Sequence, residues 1–364
     1  MSIRVLIVDD SAMVRKSLAR IIEPEPDIQV VGMAPDPYVA RDKILQLKPD
    51  VVLLDIEMPR MDGITFVRKI MKHHPLPVII ISSIAPKAGQ VAMAALEAGA
   101  VDVLCKPDSA YSLGNLGPDV VRGIRSAAGS QIARMTAAPA APLPRTAAPA
   151  PSTPTESTAS QLASASVFSS GSAASARRRI IAIGASTGGT EATREVLQSF
   201  PGDAPGTLIV QHISDAFVGA YANRLDQCCA MRVRIANDGD LVERGVALVA
   251  PGDLHMSLVK EQDTYRVRTR NGPKVYHQRP AVDVLFKSIA KFAARDSVGI
   301  LLTGMGRDGA EGLAAMRQGG ARTLVQDQAT CTVYGMPRAA AELGAAEEEV
   351  PLHRIAMATM RACA

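Results

Sequence analysis

Aromatic residues make up only 3% of this 364-residue chain, too few to furnish the stacking platforms on which single-stranded nucleic acids bind. The formal charge is only +4, and no basic run is interleaved with aromatics, so no nucleic-acid partner is expected. Cysteine is also scarce. Cys105, Cys228, Cys229, Cys331 and Cys363 show no C-x-x-C spacing, and their odd number fits reduced thiols better than a disulfide framework or a zinc site. Long apolar runs are missing as well: nothing approaches the roughly 20 residues that span a bilayer. The opening text MSIRVLIVDDSA carries acids where a signal peptide would need its cleavage site. These absences predict a cytoplasmic protein without membrane insertion.

What the chain does have is enough apolar content, 47%, to bury two ordinary cores. From Thr136 to Ala176, Ala, Ser, Pro and Thr supply 33 of 41 residues, and only Arg145 and Glu156 are charged. Such text cannot bury enough apolar surface to offset its ordering entropy, so it reads as a flexible linker with some proline stiffness. It separates residues 3–122, with a last helix reaching toward 135, from residues 177–364. On each side, short apolar runs alternate with helical stretches. VLIVDD, VVLLD, VIIIS and VDVLCKP come before the linker, and IIAIGAS, TLIVQH, VALVAPG, GILLTGMG and TLVQD after it. Continuous apolar strands alternating with helices predict two doubly wound α/β domains, with functional groups gathered where strands end. There is no internal repeat between the halves.

In the first half, Asp9 and Asp10 follow the first strand and Asp55 ends the third. A doubly wound sheet makes those strands neighbours, so three carboxylates converge at one edge. Left uncompensated the cluster is costly, and a hard divalent cation such as Mg²⁺ would offset it. Ser82 and Lys106, at the ends of the next two strands, bring a hydroxyl and an ammonium to the same edge. The text VLIVDDS, LLDIEMPRMDG, VIIISS and CKP closely resembles a response-regulator receiver domain. That resemblance implies a flavodoxin-like fold in which Asp55 accepts phosphoryl from a histidine kinase. It implies further that Asp10, Asp55 and the Glu57 carbonyl bind Mg²⁺, that Asp9 acts largely through water, and that Ser82 and Lys106 hold the phosphoryl oxygens. Receivers often place an aromatic switch three residues before that lysine, whereas this chain has Val103.

The second half opens with IIAIGASTGGTEA, a strand running into a glycine-rich loop. Two chemistries suit such a loop. It could cradle a phosphate at a helix start, or expose Ser186 as a nucleophile, since Gly184 to Gly188 spell G-x-S-x-G. No P-loop lysine follows, and TLIVQH ends in Gln-His where a dinucleotide site wants an acid for the ribose, so the nucleophile is favoured. A serine then needs a general base and a group that orients it. His212 closes the next strand, and Asp308 follows GILLTGMG. His255 and His277 read instead as hydrogen-bonding structural or substrate-groove residues.

AIGASTGGTEA, VQH, APGDLHM, RPAVDVLF, LLTGMGRDGAEG and QDQATCTVYGMPRAA resemble the catalytic domain of the CheB-type protein-glutamate methylesterases of bacterial chemotaxis. A receiver, tether and esterase in this order is that family's arrangement. The resemblance implies a three-layer α/β/α domain with Ser186 as nucleophile, His212 as base and then acid, and Asp308 orienting the imidazole. Backbone amides at Thr187 and Met305 would form the oxyanion hole. Its substrates would be glutamate methyl esters on chemoreceptors, with deamidation of receptor glutamines as a second activity. The phosphodonor would be a CheA-type histidine kinase, and hydrolysis itself would need no cofactor. His212 is followed by ISDAFVGAYANRL where the family commonly has a proline-rich loop. That places Asp215 beside the site and should loosen the turn. The expected control is a receiver that covers the Ser186 edge until Asp55 is phosphorylated. The rival reading is a phosphorylation-controlled binding module in which Ser186 only caps a helix.

Overall fold

The computed structural model describes residues 2–58, 60–82, 88–106, 113–132 and 180–364. The 136–176 linker lies outside them. The first half runs β1 (Ile3–Val8), α1 (Ala12–Ile22), β2 (Ile28–Ala34), α2 (Pro37–Leu47), β3 (Val51–Asp55), α3 (Gly63–His73), β4 (Val78–Ser82), α4 (Ala88–Glu97), β5 (Asp102–Cys105) and α5 (Leu113–Ala128). The strands form one parallel sheet in the order β2-β1-β3-β4-β5. Every residue of β3 and β4 is buried, as expected of strands with helices on both faces. Short polar side chains start the helices. The Asp36 carboxylate accepts from the Tyr38 and Val39 amides at the start of α2, and Asp62 accepts from Thr65 at the start of α3. Each such cap contributes about 1 kcal/mol.

The second half runs β6 (Ile180–Ala185), α6 (Gly189–Gln198), β7 (Gly206–Gln211), α7 (Asp215–Cys228), β8 (Arg232–Ile235), β9 (Val246–Val249), β10 (His255–Glu261), β11 (Thr264–Arg270), α8 (Val282–Ala293), β12 (Ser297–Leu301), α9 (Ala310–Gln318), β13 (Arg322–Gln326), α10 (Met336–Glu342), β14 (Glu348–Val350) and α11 (Leu352–Cys363). Seven parallel strands lie in the order β14-β13-β12-β6-β7-β9-β8. Along β6 the side chains divide by the two-residue period of a strand. Ile181, Ile183 and Ala185 join a core with α6, α7 and α11, while Ile180 and Ala182 face one built from α8, α9 and α10. The result is a three-layer α/β/α domain.

One element departs from the all-parallel expectation. β10 and β11 form an antiparallel pair outside the main sheet. Their text alternates, with Met256, Leu258 and Val267 buried and charged residues between them, the pattern of a sheet with one wet face.

The two halves touch. Cores on either side merge through α4 and α7, and α4 comes so close that a Cβ on Gly89 would lie 2.8 Å from the Ala220 Cβ. Arg224 on α7 reaches both Glu97 of α4 and Glu191 of α6, at 2.7 Å each. The β5–α5 edge of the first domain thereby faces the ends of β6 and β7.

Candidate active site

In the seven-stranded sheet the chain moves from β6 to β7 on one side and returns through β12 on the other. Ser186 therefore stands at the point where the winding reverses, the place where open α/β sheets leave a crevice at the strand ends. Its backbone is fixed from both flanks. The Ser186 amide donates to the Thr303 carbonyl at 3.0 Å, and the Gln211 side-chain amide donates to the Ser186 carbonyl at 2.8 Å. Gly188 completes the turn into α6 with φ +76, and a Cβ there would also strike Thr332, so only glycine fits.

β6 and β7 pair from Ile180 through Ala185, which sets His212 next to the serine loop. The His212 Nε2 lies 2.9 Å from Asp308 Oδ2, and both side chains are buried. Asp308 is held in turn by the first amides of α8: Val282 N–H donates to Oδ2 at 2.8 Å and Asp283 N–H to Oδ1 at 2.9 Å. A carboxylate with such partners is a fixed acceptor, so the imidazole proton belongs on Nε2 and the lone pair on Nδ1. Nδ1 is buried and makes no hydrogen bond among the described residues. Ser186 and His212 line the same cleft without a bond between them, and catalytic contacts in unliganded proteins often tighten only with substrate. The amides of Thr187 and Met305 take no acceptor among the described residues, which leaves them available to a developing oxyanion. His277 lines this cleft, whereas His255 is buried and does not. Asp215 also lines it, starting α7 against the Pro251-Gly252 turn, where a Cβ on Gly252 would fall 2.3 Å from the Asp215 Cα.

The cleft, about 240 Å³, is walled by both domains. From the first domain, Ser126 Oγ donates to Thr187 Oγ1 at 2.8 Å, and Thr187 Oγ1 donates to Asp102 Oδ2 at 3.3 Å. Thus two residues of the first domain form a hydrogen-bonded chain with the side chain next to Ser186. Burial pushes the Asp102 carboxyl up to about 6; its bonds to the Val103 amide and Thr187 and the charge of Arg122 oppose that rise, and Asp119 adds to it. Val103, which stands where receivers often carry an aromatic, is buried against this same cleft. Sequence reasoning missed Asp102, Ser126 and the α8 amides. The first two lie at a seam between domains, and backbone donors carry no residue signature.

At the far end of β5 lies the second candidate site. Carboxylate oxygens of Asp9, Asp10 and Asp55 fall within 4.8 Å of one another. Lys106 Nζ sits 2.8 Å from both Asp9 Oδ2 and Asp55 Oδ2, an ion pair to each of the two buried carboxylates. Burial raises the Asp55 carboxyl above its ordinary range, although Lys106 pulls it down. Burial also disfavours the Lys106 ammonium, but its bonds to Asp55 and Asp9 outweigh this and raise its pKa. Two buried carboxylates and the exposed carboxylate of Asp10, with one ammonium among them, are a set of hard oxygen donors that fits a divalent cation. The Glu57 amide approaches Asp55 Oδ1 at 3.4 Å, so its peptide borders the cluster. Ser82 is buried at the end of β4, and its carbonyl accepts from the Lys106 amide at 2.6 Å.

Comparison with known families matches residues 181–359 to the CheB methylesterase family and residues 5–115 to the response regulator receiver domain. A protein-glutamate methylesterase/protein-glutamine glutaminase of Syntrophus aciditrophicus is 49% identical over 97% of this chain and 97% of its own. One from Pseudomonas aeruginosa is 47% identical over 100% of this chain and 98% of its own. The solved catalytic domain of Thermotoga maritima CheB methylesterase aligns with a TM-score of 0.49 and 31% identity, over 50% of this chain and 97% of that one. No helix among the described residues is long and apolar enough to cross a membrane.

Proposed function

That this chain belongs to the CheB methylesterase family, with a receiver domain ahead of its esterase domain, is the premise from which we propose its function: a phosphorylation-activated protein-glutamate methylesterase acting on chemoreceptors, and a deamidase of receptor glutamines. The observation that carries this reading is the buried His212–Asp308 pair at 2.9 Å, in one cleft with Ser186 and with its base nitrogen free.

In the first step His212 Nδ1 takes the Ser186 hydroxyl proton as Oγ attacks the ester carbonyl of a methylated glutamate. The Thr187 and Met305 amides receive the negative charge on the carbonyl oxygen. Asp308 keeps the imidazolium oriented and stabilised without accepting its proton. Collapse breaks the C–O bond, and His212 protonates the departing methoxide, releasing methanol. Water, deprotonated by His212, then attacks the acyl-serine and restores the glutamate carboxylate and the free hydroxyl. With glutamine, the leaving group is ammonia. None of these steps calls on a metal or organic cofactor.

The receiver supplies control. Asp9, Asp10, Asp55 and the Glu57 carbonyl would hold Mg²⁺, which neutralises charge as Asp55 accepts phosphoryl from a CheA-type histidine kinase. Ser82 and Lys106 would then bind the phosphoryl oxygens. Lys106 follows β5 directly, and β5 begins with Asp102, the acceptor for Thr187. A pull on Lys106 is therefore transmitted along four residues to the catalytic seam, with no aromatic switch needed. Undocking of the receiver opens the cleft to a bulky helical substrate. The test is methanol release from methylated chemoreceptor cytoplasmic fragments, with and without Mg²⁺ and a small phosphodonor. Release should require Ser186 and rise with phosphodonor. A Ser186→Ala chain that still releases methanol at the full rate contradicts the reading.

A further inference from the structure

His255 begins β10 and is only 7% exposed, and it is not among the residues lining the cleft. Its ring nevertheless spans two backbone groups that matter to the site. Nδ1 accepts from the Ala281 amide at 3.2 Å, and Nε2 lies 2.9 Å from the Pro273 carbonyl oxygen. An amide only donates and a carbonyl only accepts, so the ring proton sits on Nε2. These two partners bracket residues 273–281. Inside the bracket, Lys274, His277 and Arg279 line the cleft. Immediately after it, the Val282 and Asp283 amides hold Asp308. Three successive amides thus bond first to His255 and then to the two carboxylate oxygens of Asp308.

The surroundings make this arrangement stiff. Gly272 approaches the His255 ring closely enough that a Cβ there would lie 3.3 Å from Cδ2. Arg279 donates to the Gly272 carbonyl at 2.7 Å, closing the same loop from within. The Asp283 side chain accepts from the Gly312 amide at 2.7 Å, fixing the first turn of α8 from its other side. His255 thus joins the two ends of the cleft wall, at Pro273 and Ala281, to the cradle of Asp308.

We propose that His255 is a positioning residue with two separable effects: through Ala281 it sets the start of α8 and so the Asp308–His212 pair, and through Pro273 it sets the cleft wall that meets substrate. The inference rests on Ser186, His212 and Asp308 acting as described above. His255→Asn places a carboxamide oxygen near the Nδ1 position and so retains the Ala281 bond alone. His255→Gln places an N–H donor near the Nε2 position and retains the Pro273 bond alone.

The experiment measures kcat and KM for methylated receptor fragments on the full phosphodonor-treated chain, with the thermal midpoint of each variant. A second readout is the rate at which an organophosphonate modifies Ser186, followed by intact mass, which needs no receptor. His255→Gln should lower kcat and the phosphonylation rate by about 10-fold to 100-fold, the usual result of slight misplacement, and leave KM unchanged. His255→Asn should raise KM severalfold and leave both rates unchanged. Failure of one variant to fold leaves the other decisive, because each predicts a change in a different parameter. Equal losses of kcat in both, or lowered thermal midpoints with unaltered kinetics, overturn the proposal. A wild-type chain that phosphonylates at Ser186 but releases no methanol contradicts the substrate assignment, while the phosphonylation arm still decides the role of His255. A wild-type chain inert at Ser186 overturns both.

Discussion

The two sites of this protein are built on the same plan and balanced in opposite ways. Each lies where parallel strands end at a reversal of winding. At the catalytic end the carboxylate of Asp308 is satisfied by two backbone amides and an imidazole. At the receiver end one ammonium, that of Lys106, pairs with two of three clustered carboxylates, Asp9 and Asp55, while Asp10 is exposed. Backbone donors cannot leave, so the first site is preorganised and rests ready. In the function proposed above, compensation by a single lysine side chain lets the second site rearrange when a cation and phosphoryl bind. On the proposed function, one is arranged to react and the other to switch. Between them lies a strand of four residues, β5, which begins with Asp102 against Thr187 and is followed by Lys106 against Asp9 and Asp55.

The sharpest way to separate the two is to remove the nucleophile. Ser186→Ala should lower kcat by about 10⁶-fold, as loss of a serine nucleophile does elsewhere, while Asp55 phosphorylation, read by phosphate-affinity electrophoresis, proceeds unchanged. Next in size is the cradle. Asp308→Asn keeps the shape but has one accepting oxygen where Asp308 uses two, so its NH2 must face either the Asp283 amide or the Val282 amide and His212, and kcat should fall by about 10⁴-fold. Methanol release at saturating substrate measures this, and a loss under tenfold would remove Asp308 from its orienting role.

The seam should respond to smaller changes. Gly89→Leu adds a branched side chain where even a Cβ meets Ala220 at 2.8 Å, and overpacking of this kind costs about 1–3 kcal/mol. The receiver's own helix gains propensity from the same change, so the cost falls on docking. Methanol release by the unphosphorylated chain should rise severalfold and respond less to phosphodonor. The smallest effect concerns Asp102. Its carboxyl in the docked protein titrates near 6, above the ordinary 3.8, because burial disfavours the charge. The docked state then binds the proton more tightly, so docking is favoured below the ordinary value and weakens as pH rises through about 6. The ratio of unphosphorylated to phosphorylated activity should climb between pH 5 and pH 7, taken relative to that titration. In Asp102→Asn, which keeps an acceptor for Thr187, the ratio should be flat over the same range.

Much of this was legible because strand ends are local. An apolar run that stops at Asp55, Ser186 or His212 announces both the strand and the residue at its edge. The hairpin of β10 and β11 was less clear, because its pattern of alternating burial is split by charged residues and does not resemble the continuous runs elsewhere. Two classes of information were not in the residue string. Backbone donors such as Val282 and Asp283 depend on where α8 begins in space. The seam formed by Gly89, Arg224, Asp102 and Ser126 depends on how two finished domains dock, and only Gly89, a poor helix former inside an alanine-rich helix, left a trace.

The most direct measurement is the initial rate of methanol release by the full chain before and after phosphorylation of Asp55, with Asp55→Asn as the control. A receiver that covers the cleft predicts a low rate that rises on phosphorylation in the wild type and stays low in Asp55→Asn. Equal rates in the phosphorylated and unphosphorylated wild type would contradict it.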